Sequence, residues 1–304
     1  MNADKKKKSN GLPKGFEYQE KDGVMENYTN LEIFIKSSSG SYARLVEFPP
    51  VSFLEQFKRG ANITGDKVYD FEDKKGRTLV LTPDSQAHTF NYYIHSSHSH
   101  NSRNLKFSWI CPIFRYRHIP VRYYYQYGYT SINHKKSENI NELVSLVHQL
   151  VKYIQNLTDG QISIHIVNPT LVKEVRVVHG DTALTMNTDA VSNTFNSEEF
   201  LSTYGMCSQA ADTVLFFKLL SQLSDIQAHI SMSAMYCQEI LSGPGFIIHV
   251  NGEKVGDGGI YDKYGYAYDG CIRTVASVCV ASRLLKNVDR KKFIPLTWVG
   301  SLLT

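Results

Sequence analysis

The sequence predicts an α+β protein, with a mainly antiparallel β N-terminal half and a C-terminal half of mixed helices and strands. Strand-like alternation dominates up to about residue 134, and strong helical periodicity begins only after residue 138. Strands and helices do not alternate regularly, which argues against a doubly wound parallel sheet. With 304 residues and 42% hydrophobic side chains, the chain can bury a sizeable core.

The N-terminal half is predicted to contain strands, one short helix and a basic tail. Residues 1–15 form the tail, because the Lys5–Lys8 run is followed by no apolar segment. The predicted strands are rich in aromatic and β-branched residues or alternate in polarity. They lie at 31–36, 42–48, 67–71, 78–81, 88–95, 103–111, 113–118 and 121–129, with a short helix at 51–58.

The clearest predicted element is an amphipathic helix near residues 139–157. Its apolar residues recur at the three- and four-residue spacing of one helical face. They are Ile140, Leu143, Val144, Val147, Leu150, Val151, Ile154 and Leu157. Further helices are predicted near 207–223, 225–241 and 271–287, with a short one that Asn196 caps. Strands are expected at 162–167, 171–178, 246–250 and 293–299.

The charge distribution divides the chain at the same place as the periodicity. Residues 1–136 carry a net charge of +8 and residues 137–304 a net charge of −4, within a total of +4. We therefore expect two regions after the tail, a β-rich basic aromatic region at 16–134 and an α+β region at 135–304. A basic half joined to an acidic half suggests an anionic partner or self-association.

A basic aromatic tract is the first candidate binding surface. No acidic residue occurs between Asp84 and Glu138, while seven Lys or Arg residues and twelve aromatic residues do. Strand alternation would place a row of cations beside a row of tyrosines. Such a surface suits a protein partner or single-stranded nucleic acid, and the alternative is that the tyrosines only pack within a sheet. The candidate contact residues are Arg115, Tyr116, Arg117, Arg122, Tyr123, Tyr125 and Tyr127.

A second candidate surface is the tyrosine-rich segment at 261–270. It combines four tyrosines with aspartates and glycines, a composition typical of adaptable recognition loops. Its acidic character would complement the basic aromatic tract, within one chain or between copies. The candidate contact residues are Tyr261, Tyr264, Tyr266 and Tyr268.

The compartment and cofactor signals are weak. The five cysteines are widely spaced and form no Cys-x-x-Cys pair, which favours reduced thiols and a cytoplasmic location. No apolar run is long enough to span a bilayer, so we expect no membrane association. The histidines at 88, 95, 98 and 100 have no neighbouring carboxylate or cysteine to complete a metal site. We therefore expect neither a metal nor another cofactor.

One pair of short motifs resembles a known enzyme family. His179-Gly180-Asp181-Thr182 and Gly258-Gly259-Ile260-Tyr261 are similar to the His-Gly-Thr and Gly-Ile-Tyr elements of ADP-ribosyltransferases of the poly-ADP-ribose-polymerase type. The resemblance implies that His179 and Tyr261 would hold NAD. The last glutamate of the chain is Glu253, so none follows Tyr261.

The leading functional hypothesis is a non-enzymatic binding or assembly protein. No phosphate-binding glycine loop, nucleophile elbow or paired-carboxylate motif is present. The composition suggests a virus- or phage-encoded protein that self-assembles, as a homo-oligomer, or blocks a host complex through protein contacts. A single-stranded nucleic-acid-binding protein is the second hypothesis, and the ADP-ribosyltransferase-like enzyme is the third.

Overall fold

The protein is built around one large mixed sheet with helices, which confirms the predicted α+β class. The computed structural model describes residues 12–61, 68–95, 104–116, 121–133, 138–179, 190–191, 196–223, 226–231, 241–262 and 274–285. Within these ranges, no helix combines the length and the apolar character that crossing a bilayer requires.

The first part of the chain forms two helices, four short strands and a third helix before the long strands begin. In order these are α1 (Lys21–Ser37), a 3₁₀ turn (Gly40–Tyr42), β1 (Leu45–Glu47), β2 (Val51–Phe53), α2 (Leu54–Ala61), β3 (Asp70–Glu72), β4 (Thr78–Leu81) and α3 (Gln86–His95). Strands β2, β4 and β3 form a separate small antiparallel sheet in that order.

The remaining elements complete the large sheet and its helical cover. They are β5 (Leu105–Phe114), β6 (Tyr123–Asn133), α4 (Asn139–Leu157), β7 (Ile162–Val167), α5 (Pro169–His179), β8 (Ala190–Val191), α6 (Ser197–Tyr204), α7 (Ala210–Leu220), β9 (Ile226–Ile230), β10 (Gly245–Val250), β11 (Glu253–Ile260), β12 (Thr274–Ala281) and α8 (Ser282–Leu285).

The large sheet has nine strands in the order β1-β5-β6-β12-β11-β10-β7-β9-β8. The β1–β5 and β7–β9 pairs are parallel and the other neighbours are antiparallel. Strands from before and after residue 134 therefore belong to one sheet and meet where β6 lies directly beside β12. The division into regions at 16–134 and 135–304 remains a prediction that rests on sequence composition.

The two faces of the sheet have different covers, because side chains alternate along each strand. On one face, which we call the α4 face, residues such as Tyr129 and Val278 pack with Leu150 of α4 in the main core. On the other, the α3 face, Phe107 and Trp109 of β5 pack with Phe90 of α3.

Helix α4 is confirmed where the sequence predicts it, at Asn139–Leu157. Its apolar stripe is buried, and Leu143, Val147, Leu150 and Ile154 are all inaccessible to solvent. The short capped helix is also confirmed, since Asn196 Oδ1 accepts hydrogen bonds from the backbone N–H groups of Glu198 and Glu199.

Two predicted helices are wrong in the described residues. The helix predicted near 225–241 begins instead with strand β9, and residues 232–240 lie outside the described ranges. The helix predicted near 271–287 is strand β12 followed by the short α8. Strand β12 is buried on both faces, so it reads as a continuous apolar run, which periodicity cannot distinguish from a buried helix.

Three predicted strands are helices. The segments 31–36, 88–95 and 171–178 lie in α1, α3 and α5. In α1 the buried residues are Asn30, Ile33, Phe34 and Ser37, which is the three- and four-residue spacing of a helical face. The apparent alternation of apolar residues from 31 to 35 is a short-range coincidence within that pattern. The strand predicted at 293–299 lies outside the described residues.

Candidate functional site

The candidate site is a group of charged and polar side chains on the α3 face, at the end of β5. Arg115 follows β5 directly, and its backbone N–H continues the pairing with β6 by donating to the carbonyl of Arg122 at 2.9 Å. Its guanidinium donates to the carbonyl of Pro83 at 3.0 Å and lies 3.4 Å from the carboxylate of Asp84. The side chains of Arg115 and Asp84 are 38% and 12% exposed.

Asp84 links this site to the start of α3. Its Oδ1 accepts a hydrogen bond of 2.8 Å from the backbone N–H of Gln86, in the first turn of the helix. Burial raises the pKa of the Asp84 carboxyl, although the positive charge of Arg115 and the Gln86 N–H oppose the shift. The nearby Asp257 carboxylate adds to the rise. The carboxylate is therefore held in place by a cation and a helix terminus while it is largely withdrawn from water.

Asp257 supplies a second carboxylate on the same face. It lies in β11 opposite Cys279 of β12, and its carboxylate is 2.7 Å from the ammonium of Lys254. Burial opposes the charged form of Arg115, but the negative charges of Tyr124, Asp84 and Asp257 together outweigh it and raise the pKa of the guanidinium. Arg115 at the end of β5 and Asp257 of β11 thus act on each other across the intervening strands β6 and β12.

Tyr124 joins Arg115 to a second arginine. The guanidinium of Arg283, in α8, lies over the Tyr124 ring at 4.7 Å from its centre. Burial raises the pKa of Tyr124, whereas the charges of Arg115 and Arg283 and a hydrogen bond from Arg283 act in the opposite direction. Two guanidinium groups thus act on one buried phenol at the end of the sheet.

Two polar atoms at this end of the sheet have no hydrogen-bond partner among the described residues. They are Nε of Arg283 and Oε1 of Gln126, and both are buried. Gln126 lies between Cys111 of β5 and Ala281 of β12 in the sheet register, on the α3 face. Buried donors and acceptors without partners are costly, and a bound ligand would satisfy them.

A small cleft of about 50 Å³ opens beside Tyr124 and Arg283. Its other walls include Phe16, Glu17 and Ser282. The N-terminal segment is held against the sheet because the backbone N–H of Arg122 donates to the carbonyl of Gly15 at 2.9 Å. The guanidinium of Arg283 therefore borders an accessible space rather than a closed core.

The floor of the α3 face next to this site is tightly packed. Trp109 Nε1 donates to Thr130 Oγ1 at 2.9 Å, and Thr130 Oγ1 is 2.9 Å from Ser277 Oγ. The Trp109 indole lies across Gly128, where a Cβ would overlap it. This part of the α3 face is therefore filled by side chains.

The cysteines of this face are not nucleophiles. Burial raises the pKa of Cys111 and of Cys279 well above the ordinary value, and carboxylates nearby raise both further. Within the described ranges, no group of three or more His, Cys, Asp and Glu side chains is arranged to hold a metal ion.

The predicted contact residues of the basic aromatic tract separate onto two faces. Arg115 reaches the α3 face, whereas Tyr123, Tyr125 and Tyr127 lie on the α4 face. Tyr127 is 2% exposed and its ring packs against Phe34 at 5.4 Å, so it is a core residue and not a surface contact. The row of cations beside a row of accessible tyrosines does not form.

Tyr123 and Tyr125 are half-buried at the start of β6. The hydroxyl of Tyr123 donates to that of Tyr125 at 2.9 Å, and the Tyr123 ring stacks on Phe114. Burial is the main cause that raises the pKa of Tyr123. Their role in partner binding stays a prediction.

Tyr116 and Arg122 form a separate surface pair. Tyr116 is 41% exposed, and the Arg122 guanidinium lies 5.2 Å from the centre of its ring. Arg122 also donates to the hydroxyl of Tyr69 at 3.3 Å. Arg117 lies outside the described residues.

The tyrosine-rich segment is described only at its start. Tyr261 is 4% exposed and belongs to the core of the α3 face, while its backbone N–H donates to the carbonyl of Val275 at 2.7 Å. Residues Tyr264, Tyr266 and Tyr268 lie outside the described ranges. Sequence reasoning named Arg115 but missed Asp257, Gln126 and Arg283, which no local motif marks. Asp84 was noticed only as the residue that ends the acid-free tract.

Part of the chain is similar in sequence to histidine–tRNA ligases. The family model for histidyl-tRNA synthetase matches residues 42–191. Histidine–tRNA ligase from Clostridium perfringens (strain SM101 / Type A) is 30% identical over 125 residues, which are 38% of this chain and 30% of that protein. The enzyme from Protochlamydia amoebophila (strain UWE25) is 31% identical over 122 residues, 37% of this chain and 29% of that protein. The chain thus spans about 30% of the length of the curated relatives that it matches.

The similarity in fold covers most of the chain. A structure described as an ATP phosphoribosyltransferase regulatory subunit/histidyl-tRNA synthetase from Bacillus halodurans C superimposes with a TM-score of 0.68 at 15% identity, over 91% of this chain and 82% of that one. Histidyl-tRNA synthetase from Nostoc sp. PCC 7120 gives a TM-score of 0.69 at 14% identity, over 91% and 74% of the two chains. The central sheet and its helices therefore have the fold of these proteins.

These similarities overturn the functional hypotheses drawn from the sequence. A virus- or phage-encoded assembly protein that blocks a host complex is wrong, because residues 42–191 are similar in sequence to histidyl-tRNA synthetase and the fold is that of the similar structures. The ADP-ribosyltransferase hypothesis is wrong for the same reason. In addition, Tyr261 is buried and Gly258-Gly259-Ile260 belong to the regular strand β11. The hypothesis of a single-stranded nucleic-acid-binding protein required an accessible row of tyrosines beside the cations. Those tyrosines pack on the α4 face instead.

Proposed function

We propose that this protein is related to the aminoacyl-tRNA synthetases and that the charged site on the α3 face binds an α-amino acid. The observation that carries the proposal is the contact of the Arg115 guanidinium with the carboxylate of Asp84 at 3.4 Å, with the negative charge of Asp257 acting on the same guanidinium. A free amino acid carries an ammonium and a carboxylate on one carbon. It therefore fits a site that offers anionic and cationic groups on one face of the sheet.

Gln126 strengthens this assignment. Its Oε1 is buried without a partner among the described residues, on the strand next to Arg115. An ammonium group is a strong donor and would satisfy this oxygen, while Asp84 and Asp257 balance its charge. The packed floor formed by Trp109 and Thr130 leaves the side chain of the amino acid to extend toward β11.

Calorimetric titration of the full chain with single amino acids tests this proposal. Histidine is the first ligand to test, because the similar proteins are named as histidine–tRNA ligases. We expect the variant Arg115→Gln to weaken binding at least about tenfold, since it removes a charge-assisted contact. The matched control is Arg122→Gln, which removes the guanidinium on the Tyr116 ring. Equal weakening by both variants, or no binding of any amino acid, would contradict the proposal.

A second candidate function is the activation of the bound amino acid by ATP. It is favoured by Arg283, whose Nε has no partner among the described residues and whose guanidinium borders the cleft beside Tyr124. A cation at this position suits a phosphate group. In this reaction the amino-acid carboxylate attacks the α-phosphorus of ATP, an acyl phosphate bond forms, and pyrophosphate leaves.

Exchange of labelled pyrophosphate into ATP, dependent on the amino acid, measures this activity. We expect Arg283→Gln to reduce exchange at least about tenfold while amino-acid affinity changes little, because Arg283 would act on the nucleotide. Absence of exchange in a protein that binds the amino acid would rule out activation and leave ligand binding without turnover. Transfer of the amino acid to histidine tRNA is the corresponding test of whether tRNA is a partner.

Self-association also remains part of the proposal. One similar structure is described as a histidine–tRNA ligase subunit, from Alicyclobacillus acidocaldarius. Helix α1 also presents exposed apolar side chains, including Met25, Tyr28 and Ile35. Light scattering after size-exclusion chromatography would give the mass of the particle. A monomer at all concentrations would contradict a homo-oligomer.

A further inference from the structure

Three histidines form a strip across neighbouring strands of the α3 face, apart from the site of Arg115. They are His229 in β9, His165 in β7 and His249 in β10. His165 and His229 are directly opposite each other in the parallel register, with ring centres 5.0 Å apart. The ring centre of His249 lies 4.5 Å from that of His165. The alternation of side chains places all three rings on the face opposite Ile164 and Ile248, which belong to the main core.

The histidine strip continues the polar surface of β11. Lys254 pairs with His249 in the sheet register, and the carboxylate of Asp257 holds its ammonium at 2.7 Å. The charged and titratable groups that act on the His249 imidazole are His165, Lys254 and His229. All three histidines are half-buried, so their rings can be reached from solvent.

The strip contains a buried ring nitrogen whose hydrogen bond no described residue satisfies. Nδ1 of His249 is buried and has no partner among the described residues. Burial lowers the pKa of His249, and the neighbouring His165, Lys254 and His229 lower it further. This imidazole is consequently neutral near pH 7 and gains its charge only in more acidic solution.

We propose that His165, His229 and His249 form a binding site for a phosphate-type oxyanion that becomes effective on acidification. Adjacent imidazolium groups repel each other, and an anion bound across them removes that repulsion while it accepts their N–H groups. Lys254, which pairs with His249 in the sheet register, adds a cation. The three histidines are not among the residues assigned to the amino acid, although Lys254 is paired with Asp257 of that site.

Two sources of the oxyanion are chemically equivalent here, inorganic phosphate and the phosphate of a nucleotide. The site lies on the same face as the proposed amino-acid site and begins at β10, the strand next to β11, which carries Asp257. Inorganic phosphate alone and ATP alone therefore form the two arms of the experiment. ATP that binds more tightly than phosphate and depends on His165 would identify a nucleotide. If ATP binds equally well to a variant that lacks the His165 ring, the strip does not bind the nucleotide and inorganic phosphate is the ligand.

Calorimetric titration of the full chain with inorganic phosphate at pH 7.5 and 5.5 tests the proposal. We expect at least about tenfold tighter binding at pH 5.5, because the His249 imidazole, whose pKa is lowered, gains its charge in more acidic solution. Inorganic phosphate itself carries less negative charge at the lower pH, so tighter binding must originate in the protein. Equal or weaker binding at pH 5.5 would overturn the proposal without any variant.

A variant and a matched control assign the effect to the strip. His165→Asn removes the central ring and is expected to abolish the gain in affinity at pH 5.5. His148→Asn, on the exposed side of α4, removes a titrating histidine elsewhere and should leave it unchanged. If both variants bind phosphate like the unmodified protein, or both lose binding, the strip is not the site. In case His165→Asn does not fold, phosphate-induced shifts of the imidazole resonances of the unmodified protein at pH 5.5 give the same answer.

Discussion

The carboxylate of Asp84 lies between the guanidinium of Arg115, 3.4 Å away, and the first turn of α3, where it accepts a hydrogen bond from the Gln86 N–H. One side chain thus fixes the position of a helix relative to the end of β5. It also sets the orientation of the cation that the proposed amino-acid site uses. The placement of Arg115 depends on α3, so changes in the packing of that helix are expected to reach the site.

Stability is expected to depend on pH through His88, close to Asp84. His88 is buried, its Nε2 is 2.9 Å from Thr82 Oγ1, and burial lowers its pKa to about 4. As the pH falls, His88 is protonated in the unfolded chain before it is protonated in the folded protein. The stability that the neutral, buried His88 contributes is therefore present above about pH 6.5 and is lost toward pH 4. We expect the free energy of unfolding to fall by up to about 3 kcal/mol over that range. Urea unfolding at several pH values measures it.

The comparison protein for this experiment is His88→Phe. The ring position stacks on Phe48 and meets Phe57 edge-on, so an apolar ring can occupy it. The difference in stability between the two proteins isolates His88, because the opposite effect of Asp84, whose raised pKa favours the folded state at low pH, is common to both. A difference that does not change between pH 7 and 4.5 would contradict the expectation.

The tyrosines of β6 are expected to differ sharply in their contribution to stability. Tyr127→Ala removes a ring that packs on Phe34 in the main core, and it should cost about 3 kcal/mol or more. Tyr116→Ala, at an exposed position, should cost less than about 1 kcal/mol. Chemical unfolding of both variants provides the measurement. Similar costs would mean that Tyr127 is not a core residue.

Gly128 is expected to tolerate no side chain. A Cβ at this position would overlap the Trp109 indole and the backbone oxygen of Val278, in the centre of the sheet. Gly128→Ala should therefore destabilise the protein by about 2 kcal/mol or more. The control is Gly23→Ala in α1, where the crowding atom is the end of the flexible Gln19 side chain. There, alanine is expected to stabilise the helix by up to about 1 kcal/mol.

The ion pair between Lys106 and Glu142 is expected to contribute measurably to stability. It joins β5 to α4 at 2.7 Å, and both side chains are mostly buried. Lys106→Met would leave the Glu142 carboxylate without its cation, at a cost of about 1–2 kcal/mol. Lys36→Met breaks an exposed ion pair with Glu32 within α1 and should cost about 0.5 kcal/mol or less. Thermal unfolding of both variants distinguishes the two environments, and equal costs would contradict this expectation.

The amphipathic helix α4 could be predicted to the residue, because one continuous apolar stripe leaves no alternative. Strand β12 could not be predicted, since Val275, Val278 and Val280 are buried among apolar neighbours on both faces. The segment therefore shows no alternation of apolar and polar residues. The candidate site was only partly accessible from sequence. Arg115 belongs to an obvious cation-rich tract, but Asp257 and Arg283 approach it only through the order of the strands, which no local pattern encodes.

The position of β12 next to β6 has a consequence for the order in which the protein can fold. Thr130 and Ser277, which share a hydrogen bond in the middle of the sheet, are 147 positions apart in the chain. Until the last part of the chain is synthesised, one edge of β6 has no neighbour, and its backbone groups are available to other strands. Such distant pairing slows folding and exposes the growing chain to aggregation. We therefore expect refolding to be slow, and truncations before residue 274 to be insoluble.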